Sequence, residues 1–189
     1  QQYDVYNKVG FQAPYMSFLT MQVIRFANLI INFIVLCMLI YINVKKIVIY
    51  YYVWALIFAV LAFGFLFVSS GRQVVEKKLQ LRGDPVPEKE QSTTWKYGIF
   101  FYTLALPAVI TANILYFVLL EEDLMYQTEY DFGNGEYSWR NVFVWLGHLF
   151  PLVGIVIDFF FNSLYLSHKH IFFNLFFTLL YIFVSYLGQ

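Results

Sequence analysis

The sequence predicts an all-α, polytopic integral-membrane helical bundle with about five transmembrane helices. Of its 189 residues, 60% are hydrophobic and only 13% are charged, whereas about a quarter of the residues of a typical soluble domain are charged. The apolar residues form five long runs, each close to the length that an α-helix needs to cross a hydrocarbon core about 30 Å thick. The charged residues are concentrated between these runs, as expected when the runs lie in lipid and the connections lie in water.

The predicted spans follow one another along the chain, with one longer polar connection. They are residues 18–42, 47–70, 97–120, 141–162 and 171–187. Segment 1–17 mixes aromatic and polar residues, and we predict that it lies at the membrane interface, which amphipathic rings favour. Segment 71–96 carries many charges together with Gly83, Pro85 and Pro87, and this composition is typical of a solvated connector.

Basic residues near the span ends predict the topology. One side holds eight of them: Lys8, Arg72, Lys77, Lys78, Arg82, Lys89, Lys96 and Lys169. The other side holds three: Lys45, Lys46 and Arg140. Because cytoplasmic-type loops are enriched in lysine and arginine, this bias places the N-terminus and connector 71–96 on the positive-inside face. The acidic loop 121–140 and the C-terminus then face the opposite compartment.

Composition and motifs also limit the function. Twelve basic and twelve acidic residues cancel, so no overall field favours nucleic acid as a partner. Cys37, the single cysteine, excludes an internal disulfide and is predicted to be a small apolar packing residue. The sequence contains no phosphate-binding glycine loop, serine elbow or zinc-binding His-Glu pattern. We therefore predict neither a cofactor nor a metal.

The first span carries a polar face. Gln22, Arg25, Asn28 and Asn32 recur at spacings of three and four, which places them on one side of a helix. Arg25 and Asp158, on the fourth span, lie about 6 to 10 Å from the same edge of the membrane at about 1.5 Å per residue. We predict that they form an ion pair that holds the two helices in register. A proton or ion path is the alternative, because ionisable groups within spans often mark such paths.

His148 lies on the fourth span, about 10 Å from the opposite membrane surface. Its role is open among a general base, a metal ligand and a hydrogen-bonded packing residue. Pro151 deprives the carbonyl of Gly147 of its intrahelical donor. His148 has no partner histidine at a similar depth, which argues against heme. His168 and His170 are predicted to form a basic cluster at the membrane interface. A weak metal-binding role is the alternative.

Two stretches resemble one known family. The first is Trp145–His148, followed ten residues after the histidine by Asp158. The second is Leu104–Pro107, followed by the acidic pair Glu122–Asp123. Both stretches are similar to the family of the androgen-induced protein. The resemblance implies a multi-pass membrane hydrolase of fatty acid esters of hydroxy fatty acids, with a threonine nucleophile and a histidine. It covers about half of the chain.

The resemblance assigns the histidine role to His148 and leaves two positions for the nucleophile. The motif Phe18-Leu19-Thr20 nominates Thr20, but its depth differs from that of His148 by roughly 15 to 20 Å in a core about 30 Å thick. A nucleophile and its base must approach to about 3 Å. Aligning the threonine-bearing helix with span two matches Phe63-Gly64 and places Tyr52 where the family has threonine.

Three functions follow from these observations. The first is a non-catalytic accessory subunit of a larger membrane complex, in contact with lipid and partner proteins. A respiratory-type assembly of the mitochondrial inner membrane would suit it. The second is the lipid-ester hydrolase, with His148 and Thr20 as catalytic residues. The third is a small transporter component, which is based on the polar face of span one.

Overall fold

Five helices form the described part of the chain. The computed structural model describes residues 18–42, 50–83, 93–120, 142–161 and 171–187. Helix α1 is Phe18–Ile42, α2 is Tyr51–Arg82, and α3 is Thr93–Ile114, which continues as a π-helix over Leu115–Leu120. Helix α4 is Val142–Phe161 and α5 is Ile171–Leu187. No strand occurs within these described ranges.

Four of the helices are long and apolar enough to cross a membrane. Their apolar segments are Leu19–Tyr41, Tyr51–Arg72, Thr93–Phe117 and Val142–Phe161, of 23, 22, 25 and 20 residues. At about 1.5 Å per residue they reach at least about 30 Å, the thickness of the hydrocarbon core. Helix α5 is shorter, at 17 residues. The predicted fold class, an all-α membrane bundle, is confirmed.

The charged connector contains more helix than predicted. Helix α2 continues past residue 70 to Arg82, and α3 begins at Thr93 instead of residue 97. The predicted solvated connector 71–96 is therefore helical at both ends. The reason is local, because residues 72–82 contain no proline or glycine and are rich in strong helix formers. The helix stops where Gly83 adopts a left-handed conformation, with φ of 76°, the usual C-terminal cap.

Helices α2 and α3 form an extensive interface, larger than that between α1 and α2 or between α3 and α5. Small residues at this interface let the two backbones approach closely. Ala55 and Ala59 on α2 and Ala108 and Ala112 on α3 are all buried in one apolar cluster. In each pair the two alanines are four residues apart, the spacing of small-residue contacts between membrane helices. Cys37, predicted to be a small apolar packing residue, is exposed on α1 in this structure.

Helix α4 packs closely against α1 at two glycines. A β-carbon on Gly147 would lie 2.8 Å from Leu39 Cδ1, and one on Gly154 would lie 2.7 Å from Asn28 Oδ1. Residue numbers increase along α1 while they decrease along α4, so the two helices are antiparallel. This register brings the polar face of α1 against α4.

We predict that Gly154→Ala destabilises the bundle, whereas Gly64→Ala does not. The new methyl at residue 154 would also lie 3.2 Å from Phe63 Cζ, whereas at residue 64 the nearest atom is Leu29 Cδ1 at 3.7 Å. Overpacking costs about 1–3 kcal/mol, and each change gains up to about 1 kcal/mol in helix propensity. We expect the unfolding free energy in mixed detergent–SDS micelles to fall by about 1–2 kcal/mol for Gly154→Ala only. Equal effects at both glycines would contradict this account of the α1–α4 contact.

Helix α5 contacts the rest of the bundle along one stripe. The ring of Phe177 packs edge-on against Phe58 with centroids 4.6 Å apart, and it also approaches Trp54 at 5.9 Å. Tyr181 packs edge-on against Tyr51 at 4.7 Å. Eight other large side chains of α5 are exposed: Phe172, Phe173, Leu175, Phe176, Leu179, Leu180, Ile182 and Phe183. This helix therefore has one attached face and one broad apolar outer face.

A proline in α3 provides the polar contact for α5. Pro107 has no N–H, so the carbonyl of Thr103, four residues earlier, loses its intrahelical donor. Asn174 Nδ2 on α5 donates to this carbonyl oxygen at 3.2 Å. A freed carbonyl in a membrane helix needs such a donor, because lipid offers none. The proline in α3 and the position of α5 are thus coupled by one hydrogen bond.

Because of this coupling, Asn174→Leu should lower the unfolding free energy more in the wild type than in a Pro107→Ala background. Residue 107 then carries an N–H that can donate to Thr103, and the Asn174 bond is no longer required. We expect a loss of about 1 kcal/mol for Asn174→Leu alone and a smaller loss in the double variant, measured by the same unfolding assay. Leu179→Ala, at an exposed position of α5, is the control and should change the unfolding free energy equally in both backgrounds. Equal costs of Asn174→Leu in both backgrounds would contradict the coupling.

Candidate functional site

A buried ion pair joins α1 to α4. Arg25 Nε lies 2.8 Å from Asp158 Oδ1, and Arg25 Nη2 lies 3.5 Å from Oδ2. The two side chains are only 2% and 0% exposed. The pair expected from their matching depths is therefore formed in the structure. Each charge is neutralised by the other at a place where neither could reach water.

Neighbouring polar groups extend this contact to α2 and α3. Gln22 Nε2, one turn before the arginine, donates to the carbonyl oxygen of Phe67 at 3.0 Å, and Ser70 Oγ donates to Gln22 Oε1. From α3, Tyr102 Oη donates to the carbonyl oxygen of Ile155 on α4 at 3.1 Å. We call Gln22, Arg25, Ser70, Tyr102 and Asp158 the ion-pair site. Side chains from four helices meet there.

Removing one partner of the ion pair should lower the unfolding free energy strongly, whereas replacing both partners with apolar residues should lower it much less. Losing one partner leaves an uncompensated buried charge, which costs about 3–5 kcal/mol, whereas well-packed apolar replacement of both partners is often neutral. We predict that Arg25→Met and Asp158→Leu each lower the unfolding free energy by that amount, and that the double variant loses far less than their sum. Arg82→Met, at an exposed position on α2, is the control and should change little. Additive losses would show that the two groups do not interact.

A second polar site surrounds His148, in the other half of α4. The imidazole is 3% exposed and lies between two tyrosine rings. It stacks on Tyr116 with centroids 4.1 Å apart and an interplanar angle of 19°, and it faces Tyr52 at 4.5 Å and 35°. Phe117 contacts it edge-on at 6.3 Å. Helices α2, α3 and α4 thus enclose the imidazole.

Polar atoms at this second site have no hydrogen-bond partner among the described residues. They are both ring nitrogens of His148 and the side-chain oxygen of Asn113. The side-chain oxygen of Asn32, which α1 carries at a similar depth, is unpaired as well. The amide nitrogen of Asn113 donates to the carbonyl oxygen of His148 at 3.1 Å, which joins α3 to α4. We call His148, Asn113, Asn32, Tyr52 and Tyr116 the imidazole site. It is as well buried as the ion-pair site but is not satisfied internally.

A π-helix contributes to the imidazole site. Leu115–Leu120 continues α3 with π geometry, where residues 97–120 were expected to be an ordinary helix. A π segment changes the direction in which side chains project and often occurs at functional sites. It places consecutive aromatic residues, Tyr116 and Phe117, on the same imidazole. No feature of this apolar stretch predicts the change of helix type.

That Asn113 lies beside His148 was not predicted, although the positions of the two residues in their spans indicate it. Asn113 lies about seven residues from the end of predicted span 97–120, and His148 lies seven residues from the start of span 141–162. Matching depths across spans, the argument that paired Arg25 with Asp158, would have paired these two residues as well. Tyr116 and Tyr102 had no such signal, since tyrosine is abundant throughout the chain, with 16 residues.

The structure does not bring Thr20 to His148. Thr20 is an exposed residue of α1, five residues before Arg25. His148 lies ten residues before Asp158 on the antiparallel α4, in the opposite direction from the ion pair. Fifteen residues at about 1.5 Å each separate them by about 22 Å along the bundle. A hydroxyl so far from the imidazole cannot be activated by it.

Some expectations concern residues outside the described ranges. These are the interfacial segment 1–17, the acidic loop 121–140, and the loop histidines His168 and His170. Within the described helices, no group of three or more His, Cys, Asp or Glu residues is arranged to hold a metal ion.

Comparison with known proteins finds no family model, no curated protein and no solved structure that matches this chain. The resemblance to the family of the androgen-induced protein therefore depends on the short motifs around His148 and Pro107 alone.

Proposed function

We propose that the protein is a non-catalytic accessory subunit of a larger membrane complex, in which it provides a stable helical framework. The observation that supports this proposal most directly is that the two buried charges neutralise each other. Arg25 and Asp158 contact each other directly, and neither is exposed to a path from which a substrate could approach. The surrounding hydrogen bonds from Gln22 and Tyr102 end on backbone carbonyls of neighbouring helices. Groups arranged in this way stabilise a bundle rather than transform a ligand.

The outer surface supports a role in contacts with lipid and with other helices. Only 28% of the membrane segment of α1 is buried, and its exposed side chains include Leu19, Val23, Phe26, Phe33 and Ile34. The outer face of α5 is apolar and aromatic as well. In lipid, helices associate through van der Waals packing and occasional hydrogen bonds, so such faces accommodate acyl chains and partner helices equally well. We propose the mitochondrial inner membrane as the location, because a respiratory-type complex there would suit a small subunit of this kind.

Cys37 offers a direct test of this proposal. It is the single cysteine and it is exposed on α1, so a thiol-directed photocrosslinker can be attached there in native membranes. We expect one predominant crosslinked protein from Cys37 and its stoichiometric co-purification in mild detergent. A matched set moves the thiol to α4 with Cys37→Ser/Val153→Cys, or to α5 with Cys37→Ser/Leu179→Cys. Crosslinks only to lipid from all three positions, with a monomer on native gels, would overturn the subunit proposal.

The His148→Ala variant is the second arm of that experiment. A framework subunit should still assemble, and the activity of the purified complex should stay at the wild-type level, because the imidazole takes no part in the chemistry of the complex. Selective loss of complex activity with assembly intact would contradict a non-catalytic role.

One observation favours lipid-ester hydrolysis as a second candidate. The alignment that uses span two puts Tyr52 at the nucleophile position of the resembled family, and the ring of Tyr52 lies 4.5 Å from the imidazole of His148. The phenol would then replace threonine as the nucleophile. Covalent labelling by a fluorophosphonate that is lost in both Tyr52→Phe and His148→Ala, but retained in Thr20→Val, would support it. Labelling that survives Tyr52→Phe would exclude it.

A further inference from the structure

The imidazole site contains hydrogen-bond acceptors that no described donor reaches. Asn32 and Asn113 are 0% and 6% exposed and His148 is 3% exposed, yet the oxygens of both amides and both ring nitrogens have no partner. Buried polar atoms in native proteins almost always have a protein or water partner. Several unpaired atoms in one part of a bundle therefore indicate an occupant.

The unpaired atoms of the two amides are acceptors, because the amide orientations are determined by their other bonds. Asn113 Nδ2 donates to the carbonyl oxygens of Val109 at 2.8 Å and of His148 at 3.1 Å. Asn32 Nδ2 donates to the carbonyl oxygen of Asn28 at 2.7 Å. Flipping either amide would point an oxygen at a carbonyl oxygen and lose these bonds. Both side-chain oxygens therefore require donors from elsewhere.

The α1–α4 register places these acceptors within about one helical turn of each other in depth. Arg25 lies against Asp158 and Asn28 lies against Gly154, so the antiparallel register places Asn32 level with Pro151. Pro151 is three residues, or about 5 Å in depth, from His148. A proline at this position also removes the intrahelical donor of the Gly147 carbonyl. A further acceptor is thereby added at the same level.

We propose that the imidazole site binds a small molecule rich in hydrogen-bond donors, enclosed between α1, α3 and α4. A neutral imidazole offers one donor and one acceptor, so acceptors outnumber donors around Asn32, Asn113 and His148. Carboxylates and phosphates bring only acceptors and do not match. A divalent cation would lack a compensating charge, since Asp158, the buried carboxylate among the described residues, already pairs with Arg25. Water and ammonium both supply the required N–H or O–H groups.

Solid-state NMR on the full chain in lipid bilayers tests this site directly. In a His168→Asn/His170→Asn background, His148 is the only histidine, and ¹⁵N-histidine labelling reports on its ring alone. We expect magnetisation from water protons to reach the ring nitrogens although the side chain is buried. The same transfer should be lost in Asn113→Leu, or in Asn32→Leu if the first variant does not fold.

Ammonium is distinguished from water by a pair of salts. If the donor is ammonium, ammonium chloride should raise the thermal unfolding midpoint relative to tetramethylammonium chloride, which has no N–H group, and Asn113→Leu should remove the difference. If the donor is water, the two salts should act alike while the water transfer persists. Either result supports the site. Absence of both the water transfer and the salt difference in the wild type overturns it.

The direction in which one substitution shifts the unfolding midpoint provides an independent check that the imidazole site is occupied. If the site is dry, Asn32→Leu removes an unpaired buried carbonyl and should raise the unfolding midpoint, because the amide nitrogen of Asn32 bonds only to Asn28 of its own helix. If the site is occupied, the same change removes a satisfied partner and should lower the midpoint. Thr103→Val is the control, because its hydroxyl already donates to the carbonyl of Phe100 and no occupant is involved. A raised midpoint for Asn32→Leu would contradict the proposal.

Discussion

Hydrocarbon offers no hydrogen-bond partners, so every polar group placed in a membrane helix must find one inside the protein. The pair formed by Arg25 and Asp158 is the strongest case in this chain, because both groups carry a full charge and neither is exposed. Their contact requires α1 and α4 to be antiparallel, adjacent and in one register. The close approach at Gly154 follows from the same register. The arrangement of α1 and α4 thus depends on satisfying two charges.

The same constraint explains how the prolines are accommodated. Each deprives a carbonyl of its intrahelical donor, and at Pro107 the consequence is visible, since Asn174 donates to the freed oxygen of Thr103. That bond connects α5, a short helix with one attached face, to a specific level of α3. Pro151 creates a similar demand in α4, next to the imidazole of His148. Helix irregularities here therefore create the polar contacts between helices.

The two polar sites differ in whether their polar groups have partners among the described residues. At the ion-pair site the polar groups find partners within four helices, and the site accordingly supports a structural role. At the imidazole site the amide oxygen of Asn113 and both nitrogens of His148 are unpaired within the described residues, while aromatic rings of Tyr52 and Tyr116 enclose the imidazole. A stable framework and a small occupied site are compatible, because they use different halves of α4.

By itself the sequence determined the fold class, the bounds of α1 and α5, and the pairing of Arg25 with Asp158. Long apolar runs can satisfy their backbones in lipid only as helices, and two opposite charges at one depth have no better partner than each other. Only the tertiary structure decided that Asn113 and Tyr116 meet His148, that Thr20 lies at the far end of the bundle, and that α3 ends in π geometry. Apolar spans look alike around their circumference, so the sequence specifies the depth of a residue but not the neighbouring helix that its side chain faces. Side-chain packing between the helices settles that choice.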